Sequence, residues 1–366
     1  MDKPIAGVNS RHKLVLHLDV NNTVLIGDSL TKSITPEEAL NEYLTDVAWG
    51  KVDETGVWKG DGKISLTPPE KNLVSYYKFA EAKYKGKPRH RFKSHIRRFT
   101  EEAIGKPFRQ FYDQMIDALE FPGNIKSGNG NDLPSFRDKN SVPFHCIVPS
   151  FYTLLDHLIE SSREFAIIFR TFGRDGHVVL QATRDYLEGK SFNVKSKKQR
   201  EPQASGLPVQ GLAHDVNFSM GEITRSSNQI SMKCPEDRLV LSNLWDIYKY
   251  FSQTNGVKLF VDDYEWWKAQ EFNSLGAKPL LIDPGDDSVH HVMFDDNFRP
   301  NEPEDSVVNL LLAEKGRFSI VDPASLDDVC VVKADLYQSI CNRNYFIEKI
   351  EQCERNYCKF ISEEKN

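Results

Sequence analysis

Cysteine is scarce and unpatterned in this chain. The six cysteines (Cys146, Cys234, Cys330, Cys341, Cys353 and Cys358) include no C-x-x-C pair and no regular spacing, so neither a zinc knuckle nor a disulfide framework is indicated. A reducing, cytoplasmic setting is expected. Long apolar runs are also missing. Nowhere do about 18 apolar residues follow one another as a membrane span requires, and Met1 to Lys13 lacks the apolar stretch of a secretory signal. Neither sign of charge dominates: 47 Lys and Arg against 53 Asp and Glu leave a net charge of −6, with no overall pull towards nucleic acid or anionic membrane. Several enzyme signatures are absent as well. Gly60-Asp61-Gly62-Lys63 lacks the spacing and the hydroxyl of a P-loop, no G-x-G-x-x-G follows an apolar run, and there is no G-x-S-x-G elbow. No nucleic-acid-binding module is present to make nucleic acid an expected partner.

What remains is an ordinary globular composition, 39% hydrophobic and 27% charged, in 366 residues, enough for one core domain and a substantial insertion. Lys13 to Leu18 is a short apolar run that stops at polar Asp19, Val20, Asn21, Asn22 and Thr23, the pattern of a buried strand entering a loop. Similar runs end at Arg170-Thr171, Asp262-Asp263 and Asp295-Asp296. Helix-length segments lie between them (149–160, 176–187, 236–252 and 264–272), and this alternation predicts a parallel sheet covered on both faces, with ligands beyond the carboxyl ends of its strands.

The stretch 31–144 breaks the rhythm and reads as a mainly helical insertion after the first strand, leaving 11–30 and 145–345 as the core and 346–366 as a C-terminal helix. Within it, Thr35-Pro36-Glu37-Glu38 and Thr67-Pro68-Pro69-Glu70 are both written as capping boxes that open helices towards Ala48 and Tyr84, and 49–64 reads as a β-hairpin. The stretch 189–238 reads as a surface excursion, 307–313 and 329–332 as further strands, and 334–360 as a closing helix with Tyr345, Phe346, Ile350 and Cys353 inward.

Phosphoryl transfer through a covalent intermediate needs a carboxylate nucleophile, a hard divalent cation and groups that orient the phosphate oxygens. Asp19 ends an apolar strand, which suits a nucleophile at a sheet edge. Asp295 and Asp296 end another, and adjacent carboxylates there are an oxygen donor set suited to magnesium and costly without a cation.

At these residues the chain resembles the haloacid dehalogenase superfamily. Leu14 to Leu25, with Asp19, Asn21 and Thr23, is similar to its first motif; Phe165 to Thr171 to its second, a strand ending in a phosphate-binding Thr or Ser; and Val292 to Asn297 to its acidic fourth. Lys278 in Gly-Ala-Lys-Pro is the choice for the third-motif lysine. The resemblance implies a three-layer, Rossmann-like α/β fold and Mg2+ as cofactor. It implies that Asp19 attacks phosphorus, that Asp19, the Asn21 carbonyl and Asp295 hold the metal with Asp296 supporting its waters, and that Thr171 and Lys278 hold the phosphate beside Asn22 and Gly173. One position departs from the pattern. Phosphatases of this family usually carry an acid two residues after the nucleophile to protonate the leaving oxygen, and here that residue is Asn21, whose amide cannot do so. Ion-pumping ATPases, dehalogenases and phosphonate hydrolases of the family also lack that acid.

The expected function is therefore a magnesium-dependent phosphohydrolase or phosphotransferase working through an aspartyl phosphate on a small phosphorylated substrate, favouring leaving groups stable as anions. The alternative is a catalytically weak or inactive member that binds a ligand or protein. A dehalogenase-type hydrolase, the third reading, would leave Asp295-Asp296 unexplained. Asp262-Asp263 is a second acidic pair that competes for the metal role, although motif order favours Asp295-Asp296. The dense basic stretch 83–98 reads either as a solvated helical face or as a surface attracting an anionic ligand. Tyr264 to Trp267 reads as a packed helix start, and His290-His291 and His145-Cys146 as packing residues.

Overall fold

A computed structural model of the chain describes residues 12–27, 34–120, 135–137, 143–161, 163–188, 218–227, 229–235 and 238–364. The first strand, Lys13–Asp19, sends Leu14, Leu16 and Leu18 to one face and Val15 to the other, each face into a separate apolar cluster. Burial on both faces explains why it is written as a nearly unbroken apolar run. It lies in parallel between Phe165–Thr171 and Val289–Asp295. Outward from Phe165–Thr171 come Gly256–Val261 and Phe218–Ser226, and outward from Val289–Asp295 comes Val331–Lys333, all parallel. Gln229–Cys234 and Leu239–Leu241 complete the eight-stranded sheet as an antiparallel edge. The fold is thus α/β with a large, mostly parallel central sheet, and Asp19, Thr171 and Asp295 all stand at the carboxyl ends of adjacent strands.

Leu154, Leu155, Phe346 and Ile350 cover the sheet face of Leu14, Leu16 and Leu18, whereas Ile247 and Phe251 cover the Val15 face. Residues from 34–120, including Leu40, Trp58, Phe99 and Phe108, belong to the same cluster as Leu14 and Phe346, so this segment shares a continuous core with the sheet. A separate three-stranded sheet, Lys278–Ile282, Val308–Glu314 and Arg317–Val321, contains the strand of Lys278.

Helices 149–160 and 176–187 fall where the apolar periodicity puts them. The Thr35 box also forms: Glu38 N–H donates to Thr35 Oγ1 at 3.2 Å and Thr35 N–H to Glu38 Oε2 at 3.0 Å, opening Pro36–Val47. The Thr67 box does not. Val74–Ser75 pairs with Trp49 and Gly50 as a third strand beside the hairpin, so the segment from Thr67 passes through turns into that strand, and the helix opens only where Ser75 caps Tyr76–Lys83. The expected helix over 236–252 begins only at Leu244, because Leu239–Leu241 is drawn into the sheet edge. Much of 189–238 lies outside the described residues, but Phe218–Ser226 and Gln229–Cys234 are sheet strands rather than a surface excursion, anchored by buried Ile223 and Met232. The two strands expected near 307–313 and 329–332 form, in different sheets. The closing helix is broken into Leu336–Cys341 and Tyr345–Glu364, where Asn342 accepts from Asn344 N–H at 3.0 Å, a local bond that competes with helix. Tyr345, Phe346, Ile350 and Cys353 do face inward. Among the described residues no helix is long and apolar enough to cross a membrane.

Four histidines are buried among the described residues, His17, His145, His290 and His291, and three of them, His17, His290 and His291, lie on two neighbouring strands of the central sheet. His17 Nε2 bonds His291 Nδ1 at 3.1 Å, His291 Nε2 bonds Ser252 Oγ at 3.0 Å, and His290 stacks on Tyr357 with ring centroids 4.1 Å apart. Burial lowers all three, His17 well below its usual range and His290 and His291 to about 3. Each stays neutral when folded but takes up a proton near pH 6.5 when unfolded. The histidine contribution to stability should therefore be intact above pH 6.5 and fall as pH drops towards 3, by about 1.4 kcal/mol per pH unit for each histidine. The raised carboxyls of Asp19 and Asp296 tilt the total profile the other way, so the check is the difference in urea midpoint between wild type and His290→Phe from pH 7 to pH 4; a difference that does not change with pH contradicts it.

Candidate active site

Parallel register puts Asp19 beside Arg170 on one side, and one residue beyond the Leu18–Phe294 pair on the other, next to Asp295. One carboxylate oxygen from each of Asp19, Asp295 and Asp296 lies within 4.8 Å of the others. Lys278 enters from the smaller sheet and is 2% exposed; its Nζ pairs with Asp19 and, at 2.8 Å, with Asp295 Oδ2. Its ammonium lies 5.1 Å from the centre of the Phe172 ring. Lys258, a buried lysine on Gly256–Val261, donates to Ser219 Oγ at 2.8 Å.

The electrostatics follow from burying three acids around one cation. Burial pushes the Asp19 carboxyl up to about 7, the Lys278 ammonium opposes this, and Asp295 adds to it. Asp296, half-buried, is raised well above the usual carboxylate range by desolvation and then by the charges of Asp19 and Asp295. Lys278 is raised despite its burial, because Asp19, Asp295 and Asp262 favour its charged form. A hard cation would relieve the carboxylate repulsion, and the oxygen-only donor set fits one.

The remaining residues line the same sheet edge. Thr171 Oγ1 accepts from Gly173 N–H at 2.9 Å, which leaves its own proton free to donate. A Cβ placed on Gly173 would lie 3.5 Å from Thr171 Oγ1, 3.8 Å from Asn21 Nδ2 and 3.8 Å from Asp175 Oδ2, so the glycine leaves a small polar cradle open. Buried Asn21 Oδ1 and Thr23 Oγ1 have no hydrogen-bond partner among the described residues. Asn22 adopts φ 59°, a left-handed conformation that asparagine tolerates, and accepts from Gly27 N–H at 3.0 Å, closing the loop after the strand. Asn297 Nδ2 donates to Asp296 Oδ1 and Asn297 N–H to Asp295 Oδ1, each at 2.9 Å.

A cleft of about 750 Å³ reaches Asn22 and Asp296 between the segment containing Tyr43 and Trp49 and the loop of Arg299. Its cations Lys78, Lys93, Arg299 and Lys333 alternate with Glu42, Asp46 and Glu302. Within the basic stretch, Lys93 and Arg97 pair with Glu42, and Arg98 pairs with Glu101; Lys83, Lys85, Lys87, Arg89 and Arg91 are exposed.

The second acidic pair has other partners. Asp262 holds buried Arg170 through Oδ2–Nε at 2.9 Å and Oδ1–Nη2 at 2.5 Å, and Asp263 caps Tyr264–Ala269 by accepting from Trp266 N–H at 2.9 Å. Trp267 of that helix stacks on Phe172 at 4.7 Å, as a packed helix start should. Asp175 and the two arginines that bond the backbone on either side of Lys278, Arg170 and Arg225, are residues that sequence reasoning did not single out. No protein-family model, curated protein or solved structure matches the chain.

Proposed function

We propose that the chain is a magnesium-dependent phosphohydrolase or phosphotransferase that forms an aspartyl phosphate on Asp19, a divergent relative of the haloacid dehalogenase superfamily. The observation that carries this reading is the meeting of Asp19, Asp295 and Asp296 within 4.8 Å around the buried ammonium of Lys278. Carboxylates of Asp19, Asp295 and Asp296 and the backbone carbonyl of Asn21 would hold Mg2+, which when bound supplies charge neutralisation for the phosphate oxygens. Asp19 is the nucleophile. Lys278 keeps it partly ionised against burial and meets a second phosphate oxygen, while the Thr171 hydroxyl and the Asn21 amide donate from either side of the Gly173 cradle. The substrate is a small phosphorylated compound entering by the cleft at Asp296, with the exposed lysines and arginines of 83–91 attracting its charge. Turnover of a panel of phosphate esters with and without Mg2+ tests the proposal; no metal-dependent turnover of any ester would favour a ligand-binding role for the same fold.

Asn21 sets the leaving-group preference. Acyl, aryl and pyrophosphate groups leave without a proton, so they should turn over faster than alkyl monoesters. Asn21→Asp should raise the rate on alkyl esters by about 10²- to 10⁴-fold and change aryl esters little. An equal gain on both classes would remove the argument.

Gly173→Ala tests the cradle. The added methyl makes only ordinary contacts, so the unfolding midpoint should hold. Filling the cradle should weaken competitive inhibition by inorganic phosphate about tenfold, roughly 1.4 kcal/mol. Unchanged inhibition would place the phosphate elsewhere.

A further inference from the structure

Lys278 reaches Asp19 and Asp295 from a strand that does not belong to the main sheet, so its position depends on what ties the two sheets together. The carbonyls on either side of it are each held by an arginine of the main sheet. Arg225 Nη1 donates to Ala277 O, and Arg170 Nη1 donates to Pro279 O at 3.1 Å. Both guanidinium groups are fixed in turn. Both carboxylate oxygens of Asp262 accept from one edge of the Arg170 guanidinium, Nε and Nη2. Arg225 Nη2 donates to Asn309 Oδ1 at 2.9 Å, on the strand beside that of Lys278, and Arg225 N–H donates to Asp263 Oδ2 at 3.0 Å. The Asp262-Asp263 pair, read from sequence as a rival metal site, thus anchors this arrangement.

Packing alone does not account for such groups. A buried ion pair is seldom better for stability than apolar residues of the same volume, and Arg225 Nε is buried without a partner among the described residues. A rigid fork that bridges backbone to a neighbouring strand does account for them, because it fixes distance and angle together.

We propose that Arg170 and Arg225 are positioning residues that hold the backbone flanking Lys278, so that its ammonium sits between Asp19 and Asp295. The catalytic consequence rests on the function proposed above; the placement of Lys278 does not, and can be measured without a substrate.

Arg170→Met strands the buried Asp262 carboxylate and risks misfolding, so Arg225→Met and Arg225→Lys carry the test. Lysine acylation by acetic anhydride in the full-length protein, followed by mass spectrometry, compares Lys278 with Lys258, a buried lysine of the main sheet that is 5% exposed. Arg225→Met should raise labelling of Lys278 roughly tenfold relative to Lys258, through local opening of its strand. Arg225→Lys should not restore protection, since one ammonium cannot replace the fork. Lys278 remaining protected, or both lysines gaining reactivity together, would overturn the proposal. With a phosphate ester that the wild type turns over, Arg225→Met should lower kcat about tenfold with KM little changed, and should have no further effect in a Lys278→Met background. Independent, multiplying losses would overturn the positioning role. A wild type that turns over no ester sinks the proposed function but leaves the labelling result to decide this inference.

Discussion

Asp19→Asn should lower magnesium-dependent phosphate release at least ~10⁴-fold, the scale on which enzymes lose rate when a covalent nucleophile is removed. The amide has nearly the shape of the carboxylate but neither its charge nor its nucleophilicity. The folded protein should tolerate it, since Asp19 is already pushed up to about 7 by burial and spends part of its time neutral at that pH. The loss should therefore appear in kcat with little change in the urea midpoint. A comparable rate in Asp19→Asn would assign the chemistry to another residue.

Lys278→Met should have the largest effect on stability. It removes the cation that pairs with both Asp19 and Asp295, two carboxylates buried beside each other. Breaking a buried ion pair from one side costs about 3–5 kcal/mol. The sign of its pH dependence follows from the carboxyls. Without the ammonium, burial and the neighbouring charge of Asp295 raise the Asp19 carboxyl further above about 7. A group raised in this way loses stability until pH passes its folded-state value, a limit that wild type reaches near 7 and the variant only later, so the deficit relative to wild type should grow as pH rises from about 7 to about 9. Mg2+ should restore part of the loss at pH 8, because a cation that binds only the folded site stabilises it by mass action. Thermal melts of wild type and variant with and without Mg2+ measure all three effects; a variant as stable as wild type at pH 8 would mean that Lys278 is not the counter-charge of the pair.

The site was legible from sequence wherever a strand ends. Asp19, Thr171 and Asp295 each follow a run of buried residues, and adjacency of parallel strands brings those ends to one edge. Lys278 was legible by motif order, whereas its contact with both aspartates depends on a second sheet that the periodicity does not reveal. Long amphipathic helices such as 149–160 and 176–187 were also readable. Boundaries set by tertiary pairing were not. Thr67 has the local chemistry of a helix start, but Val74 and Ser75 gain strand partners at Trp49 and Gly50, and this pairing delays the helix. Leu239–Leu241 likewise joins a sheet edge instead of extending the next helix. In sequence Arg170 is only the first polar residue at the end of an apolar run. Its role depends on Asp262 and Pro279, both remote in sequence, which local pattern cannot supply.

The central claim is that Asp19 is poised for in-line attack on a phosphorus held by Lys278, Thr171 and a hard cation at Asp295 and Asp296. A crystal structure of the wild type soaked with Mg2+ and beryllofluoride measures it most directly. The account predicts beryllium bonded to an Asp19 carboxylate oxygen, with fluorides on Lys278 Nζ and Thr171 Oγ1 and Mg2+ against Asp295. Beryllofluoride bound away from Asp19, or an Asp19 carboxylate that stays paired with Lys278 and takes up neither group, would contradict it.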